Sequence, residues 1–230
     1  MKRIYKTELH CHTTEMSGCA SETAERMIAK YIDCGFTTVV LTNHCEHSRI
    51  HAPLEYRYRY DSYEELINKI FDAIEYTKSL AGDRLNIIEG FELCNCVTEN
   101  DYLIYGISRE AALGFNLCKS DIWDVSAYVR SQGGIIIQAH PFRFGMTLVD
   151  PDLVDGYEIF NSHNSTFMNT MARQWISQIG AEDKILTAGN DHHDPKDIPT
   201  AGILTSEPIT TEAELVRVLK SKDFSIFHEG

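Results

Sequence analysis

The chain has 230 residues and a formal net charge of −13 at pH 7, and a length of this size is compatible with one domain. We therefore expect a single domain over residues 1–230. The acidic excess disfavours a nucleic-acid-binding surface, which needs a basic stripe. It does not exclude a phosphorylated substrate, because cations held by clustered carboxylates attract phosphate.

The cysteines and the N-terminus indicate the compartment. Seven cysteines without a CxxC pair give no sign of a disulfide framework, so a reducing compartment is the simpler interpretation. Cys94 and Cys96 could bind a soft metal, but ordinary strand cysteines explain them more simply, since no second pair accompanies them. MKRIYKTELH lacks the apolar segment of a signal peptide, and no run reaches the ~20 apolar residues of a membrane span. These patterns predict a cytoplasmic protein without a membrane partner.

Strand-like and helix-like segments alternate along the chain. Residues 3–12 predict a strand, and a helix over 21–35 is expected to begin at Ser21 and stop at Gly35. The further expected elements are strands over 36–44, 84–93, 101–107, 135–142, 155–161, 184–193 and 200–206, and helices over 63–83, 120–134, 165–180 and 211–223. This alternation predicts a mainly parallel sheet with helical crossovers. Closure into a barrel is favoured over an open doubly wound sheet.

Ionisable side chains stand at the carboxyl ends of five expected strands. The first strand ends in His10 and His12, which share one face because residues i and i+2 of a strand do so. The other strand ends supply His44, Glu92, His140 and Asp191, the last followed by His192 and His193. Strand ends of this kind converge on one rim of a parallel α/β fold. Buried ionisable groups are costly unless paired or coordinated, so the set predicts a metal site rather than isolated core histidines.

Imidazole mixed with carboxylate suits zinc, iron or manganese. The two oxygens of one carboxylate can bridge two cations about 3.5–4 Å apart, and Glu92 is the best candidate for this bridge.

Five motifs together resemble one known family. ELHCHT, LTNH, EGFEL, AHPFR and GNDHH, which occur in this order from residue 8 to about 193, are similar to those of the PHP family, named for polymerase and histidinol phosphatase. The resemblance implies a metal-dependent phosphoesterase on a distorted seven-stranded (β/α)7 TIM-like barrel, with two or three divalent ions of zinc, manganese or iron. A single motif is weak evidence, since HxH at a first strand also occurs in amidohydrolases.

The resemblance also implies roles for individual residues. The first ion would be bound by His10, His12 and Asp191, the second by His140, and both by the bridging Glu92, while His44 and His193 would bind a third. Three departures from the family pattern stand out. Asn43 replaces the usual aspartate before His44, and Asp101 stands where members commonly supply a histidine. Glu15 is the nearest candidate for a further ligand of the third ion, with a solvated loop carboxylate as the alternative.

The implied reaction is attack on phosphorus by a metal-bridging hydroxide, with Glu92 and Asp191 as catalytic carboxylates. Arg143 either grips a phosphate oxygen or forms a surface salt bridge. His163 either protonates the leaving oxygen and helps hold substrate, or caps the helix that starts near Ser165. The tyrosine- and arginine-rich insertion over 48–62 is either a substrate lid or a loop packed on the barrel.

Two other functions compete with a phosphoesterase. An amidohydrolase-like C–N hydrolase shares HxH and a late aspartate but commonly uses a strand lysine as its bridge, and no predicted strand ends in lysine. A non-catalytic metal-binding regulatory domain is disfavoured by the nearly complete ligand set. We therefore expect a small phosphorylated substrate and no nucleic acid. Histidinol phosphate, a nucleotide, a sugar phosphate and phosphotyrosine remain open as substrates.

Overall fold

A computed structural model of the protein describes residues 3–53 and 55–229. Within these residues, the strands are β1 (Tyr5–Cys11), β2 (Phe36–Leu41), β3 (His44–Glu46), β4 (Asn86–Asn95), β5 (Asn100–Tyr105), β6 (Ile135–Gln138), β7 (Gly156–Asn161), β8 (Ile185–Gly189), β9 (Ala201–Thr205) and β10 (Ser225–His228). The α-helices are α1 (Ala24–Asp33), α2 (Tyr63–Ala81), α3 (Arg109–Gly114), α4 (Ile122–Ser131), α5 (Thr166–Gln178) and α6 (Glu212–Ser221).

The strands form one sheet that nearly closes into a barrel. Its order is β10-β9-β1-β2-β4-β5-β6-β7-β8, and β3 pairs with β4 beside this path. The segment after β8 returns to β1, because Asp191 N donates to His10 O (2.8 Å) and His12 N donates to His192 O (3.0 Å). Strands β1, β2 and β4 to β8 therefore surround one interior, and the predicted distorted TIM-like α/β barrel is confirmed.

The sheet is mainly parallel, as expected, but it also contains antiparallel pairs that the sequence analysis did not predict. Four of the nine pairings between the described strands are antiparallel: β1 with β9, β9 with β10, β4 with β5, and β5 with β6. Residues 96–99 are the whole connection between β4 and β5. A parallel pair needs a crossover of about a dozen residues, so this short connection allows only a hairpin.

Helix α1 begins later than the sequence predicts. Its N-cap is Thr23, whose side chain accepts from Arg26 N (3.4 Å), whereas the hydroxyl of Ser21 faces Asp194 Oδ2 (3.4 Å). The helix ends before Gly35, whose φ of +77° is a conformation that glycine adopts easily. The short elements β3, β10 and α3 were not expected from the sequence.

Two apolar clusters hold these elements together. The larger includes Ile28 of α1, Ile70 of α2 and Val125 of α4, packed with residues of the sheet. The smaller joins strand residues such as Leu9 to Leu215 of α6, so α6 closes one end of the barrel. None of the helices in the described parts of the chain combines the length and apolarity that a membrane span requires.

The end of β1 departs from a regular strand. Its register with β2 shifts between Glu8 and Cys11. Leu9 packs in the smaller apolar cluster, while His10 and His12 both lie in the ionisable cluster described below. Both histidines therefore lie at the mouth of the barrel, at the carboxyl ends of the parallel strands.

Candidate metal centre

The first group of possible ligands comes from three separate parts of the chain. His10, His12, Glu92 and Asp191 place one ligand atom each within 4.8 Å of all the others. The Nε2 atom of His10 lies 3.3 Å from Glu92 Oε1 and 3.3 Å from Asp191 Oδ1. The Nε2 atom of His12 lies 3.3 Å from Glu92 Oε2 and 3.3 Å from the same Asp191 oxygen. Four donors therefore surround one point in the interior.

A second group shares Glu92 with the first. It consists of Glu92, Asp101 and His140. The Nε2 atom of His140 lies 2.9 Å from Glu92 Oε1 and 3.9 Å from Asp101 Oδ2. Glu92 thus stands between two groups of ligands, where the sequence places a bridging carboxylate.

A third group contains His12, His44 and His193. The ring centroids of His44 and His193 lie 4.5 Å and 4.2 Å from that of His12. His44 Nδ1 lies 3.0 Å from Glu92 Oε2, and His193 Nδ1 lies 3.3 Å from Asp191 Oδ1. The structure therefore brings together eight of the nine residues that the sequence proposes as metal ligands; the exception is Glu15.

Several of these atoms are buried without a hydrogen-bond partner among the described residues. They are His10 Nε2, His12 Nε2, His140 Nδ1 and Asp191 Oδ1. Leaving a buried polar atom unpaired costs about 1–3 kcal/mol, and three of these atoms face the first group. A divalent ion would satisfy them at once, and imidazole with carboxylate is a donor set that zinc, iron and manganese accept. The residues therefore fit a metal centre.

The electrostatics of the first group favour bound positive charge. Burial alone would lower the pKa of His10, but Asp191, Glu158 and Glu92 outweigh it and raise that pKa well above its usual value. Burial likewise acts to raise the pKa of Glu92 and of Asp191, yet the histidines around them hold both pKa values well below the usual range. These carboxylates are thus ionised, as metal ligands must be.

The third group is different, because burial dominates there. It lowers the pKa of His44 to about 4 and that of His193 to about 3. Both imidazoles are therefore neutral near pH 7, which is the form that binds a metal ion.

Glu158 of β7 orients two of the histidines, and sequence reasoning missed it. Its Oε1 lies 3.0 Å from His10 Nδ1, and its Oε2 accepts from His140 N (3.0 Å) and from Asn161 Nδ2 (2.9 Å). A carboxylate that accepts from the distal nitrogen of a histidine fixes the tautomer that exposes the other nitrogen to a metal. The one available signal was a glutamate inside the otherwise apolar strand GYEIF.

Asn43 keeps the accepting role of the aspartate that the family usually has there. Its Oδ1 accepts from Thr13 N (2.9 Å) and from Ser17 Oγ (2.9 Å). Ser17 Oγ in turn lies 3.2 Å from His12 Nδ1. The departure at Asn43 therefore removes a charge but not the chain of hydrogen bonds that orients His12.

Arg143 reaches into the site. Its Nη2 donates to Asp191 Oδ2 (2.6 Å) and to Asn161 Oδ1 (3.1 Å), and its side chain is 30% exposed. The carboxylate that it meets is a buried ligand candidate, so the alternative of a surface salt bridge does not describe it.

His163 lies at the rim, and Glu15 lies elsewhere. The Nε2 atom of His163 is 2.9 Å from Asp197 Oδ2, and its ring is 5.6 Å from that of His193. The helix cap that was the alternative role is Ser165, whose side chain accepts from Met168 N (3.3 Å). Both Glu15 oxygens accept from Ala24 N (3.0 and 3.1 Å), so this carboxylate caps α1 instead of joining a ligand group.

The aromatic insertion packs on the loop that follows β1. Tyr60 OH donates to Met16 Sδ (3.1 Å), and Tyr58 lies against Gly18. Arg57 and Arg59 are exposed. These contacts favour a packed loop over a lid; Leu54, within the insertion, lies outside the described residues.

A family model now assigns the chain. The PHP domain model matches residues 8–193, which include every candidate ligand. The chain belongs to the PHP domain family. The resemblance given by the five motifs is thereby confirmed, whereas no curated protein matches this PHP chain in sequence.

Solved structures of several other proteins share its fold. A two-domain protein from Bacteroides vulgatus ATCC 8482, containing a predicted PHP-like metal-dependent phosphoesterase, aligns with a TM-score of 0.66 and 16% identity over 98% of this chain and 65% of its own. PsfC from Pseudomonas syringae PB-5123 aligns with a TM-score of 0.70 and 12% identity over 99% and 93%. The lesion-specific endonuclease PfuEndoQ from Pyrococcus furiosus aligns with a TM-score of 0.61 and 13% identity over 97% and 58%. The chain thus spans less than two thirds of the Bacteroides and Pyrococcus proteins, and identities this low establish the fold alone.

Proposed function

We propose that this PHP domain is a metal-dependent phosphoesterase that hydrolyses a phosphate ester of a small molecule. The observation that carries the proposal is the position of Glu92, whose two oxygens lie 2.9–3.3 Å from histidines of separate ligand groups. This is the arrangement that a carboxylate bridging two cations needs. Divalent ions bound there would supply a hydroxide nucleophile at neutral pH and neutralise charge on the phosphate oxygens.

The ligand roles follow from the three groups. His10, His12 and Asp191 would hold the first ion, Asp101 and His140 the second, and His44 and His193 a third, with Glu92 shared. Zinc, manganese and iron all suit these donors.

Other side chains would handle the substrate. Arg143 already donates to Asp191 through Nη2, and its remaining N–H groups would bind a phosphate oxygen of the substrate. His163 would give a proton to the leaving oxygen, and Asp197, 2.9 Å from its Nε2, would hold the ring in position for that transfer. Both residues lie beside the ligand groups, at the rim of the barrel.

A small substrate is preferred because of charge. The PHP fold also occurs in an endonuclease, so the fold itself is compatible with nucleic acid. However, the chain carries a net charge of −13, and long nucleic acids bind through clustered cations. An amidohydrolase-like hydrolase commonly uses a lysine as its bridge, whereas here Glu92 occupies the position between two ligand groups.

The test is hydrolysis of a panel of phosphate monoesters and diesters after the protein has been stripped of metal and reloaded with zinc, manganese or iron. Glu92→Gln should lower kcat/KM by more than about a hundredfold with the reloaded metal, because it removes a charged ligand shared by two ions. Glu207→Gln is the matched control, since Glu207 is exposed and outside the ligand groups. Background rates on every ester with every metal, or equal losses in the two variants, would overturn the proposal.

A further inference from the structure

The third ligand group is short of one donor. Ser17 Oγ lies 3.2 Å from His12 Nδ1 and donates its own proton to Asn43 Oδ1 (2.9 Å). His12 Nδ1 therefore carries the proton and donates it to Ser17, which leaves the lone pair on Nε2. That Nε2 lies 3.3 Å from both Glu92 and Asp191, so its lone pair belongs to the first ion. Only His44 and His193 are then left for the third.

The thiol of Cys19 lies beside one of these two histidines. His193 Nδ1 is 2.7 Å from the backbone oxygen of Asp191, which can only accept, so the proton is on Nδ1 and the lone pair on Nε2. Cys19 Sγ lies 3.2 Å from this Nε2. Zinc bonds of about 2.1 Å to nitrogen and about 2.3 Å to sulfur place two such ligands of one ion roughly 3–4 Å apart. The sulfur and the nitrogen are thus at the separation that a shared ion requires.

We propose that Cys19 is a thiolate ligand of the third ion, together with His44 and His193. This inference rests on the metal centre of the proposed function. In this role Cys19 takes the place of Glu15, because both Glu15 oxygens accept from Ala24 N and cap α1.

Cys94 is the rival thiol. Its Sγ lies 3.2 Å from His44 Nδ1, and it stands directly opposite Asp101 in the β4–β5 pair. The nitrogen that it approaches already faces Glu92 Oε2 at 3.0 Å. A thiolate there would add a third negative group beside Glu92 and Asp101, whereas Cys19 faces a free lone pair. The geometry therefore favours Cys19.

A thiolate at this position changes which metals the site prefers. Glutamate and thiolate carry the same charge, so the difference lies in the softness of sulfur, which favours zinc and disfavours manganese and magnesium. The third position should accordingly be the most zinc-selective of the three.

The test is titration of the metal-free 230-residue chain with Co²⁺, because a thiolate ligand gives a charge-transfer band in the near ultraviolet. The wild-type protein should show this band, Cys19→Ser should lose it, and Cys94→Ser and Cys96→Ser should keep it. Cys96 is a matched control, since it is an exposed thiol whose Sγ lies 2.9 Å from the backbone oxygen of Cys118 and not beside a histidine. Cys19→Ser should also weaken the last equivalent of zinc at least about tenfold while changing the binding of manganese by less than about threefold, with an unchanged circular dichroism spectrum.

Two results would overturn the assignment and leave the metal centre standing. One is visible ligand-field bands of bound cobalt without a charge-transfer band, and the other is a band that disappears in Cys94→Ser and not in Cys19→Ser. A chain that binds no cobalt at all would remove the proposed metal centre, and the role of Cys19 with it.

Discussion

The substitution Glu158→Gln tests how the ligands are held, because it keeps the size of the side chain and changes only its hydrogen-bonding. The glutamate accepts from His10 Nδ1, His140 N and Asn161 Nδ2 at 2.9–3.0 Å, and its side chain is fully buried. A glutamine has one oxygen and one NH₂ group in their place. Whichever way its amide is turned, a donor must face a donor.

Both orientations of the amide weaken metal binding. If the NH₂ group faces His10 Nδ1, that nitrogen must accept, and the proton moves to Nε2, where a metal would bind. If the NH₂ group faces His140 N instead, the buried donors His140 N and Asn161 Nδ2 lose their acceptor, at a cost of about 1–3 kcal/mol. Removing a partner of this kind typically lowers metal affinity about 10- to 100-fold, which corresponds to about 1.4–2.7 kcal/mol.

The assay is competition for zinc with a chromophoric chelator, with Glu207→Gln as the control. In addition, the ¹⁵N chemical shifts of His10 report directly which ring nitrogen carries the proton. A general loss of stability would leave this tautomer unchanged. Zinc affinity within twofold of the wild-type value and an unchanged His10 tautomer would refute the reasoning.

Three further predictions concern residues around the centre. Glu15→Ala should lower the free energy of unfolding in urea by about 1 kcal/mol, because Ala24 N loses its cap, with metal content unchanged; loss of an ion would show that Glu15 is a ligand after all. Arg143→Lys should lower kcat/KM about tenfold or more, since lysine cannot make paired contacts with phosphate, and loss of metal instead would mean that Arg143 acts only through Asp191. Burial, together with the positive charge of Lys30, lowers the pKa of His192 to about 4 in the folded protein. Below about pH 6.5 the unfolded chain therefore binds a proton at His192 that the folded chain does not bind, and stability falls as the pH drops. His192→Gln should remove up to about 2 kcal/mol of that loss between pH 7 and pH 5, and an unchanged slope of unfolding free energy against pH would contradict a buried neutral His192.

The convergence of the ligands was predictable because it depends on a general property of parallel strands. His10, His44 and His140 lie near strand ends, and such ends meet at one rim whatever the details of the loops. Alternation along a strand also placed His10 and His12 on one side. The irregular register of β1 was not needed for that inference.

The supporting residues were not predictable, because their partners are distant in sequence. Glu158 and His10 are 148 residues apart, and no local pattern connects them. The path of the loop after β1 decides whether Glu15 or Cys19 faces His193, and loop paths do not follow from hydrophobic periodicity. The strand β5 was predicted, but its antiparallel direction was not. That direction follows from the short connection between β4 and β5, and the patterns that identify strands and helices do not give the direction of a strand.

Two of the ligand candidates hold the backbone in a conformation that costs folding free energy. His140 has a φ of +26° and Asp191 a φ of +54°, and a residue other than glycine in such a region typically costs on the order of 1–3 kcal/mol. A glycine at either position would relieve this cost but would remove a candidate ligand. The strained backbone is therefore tied to the placement of two side chains at the metal centre.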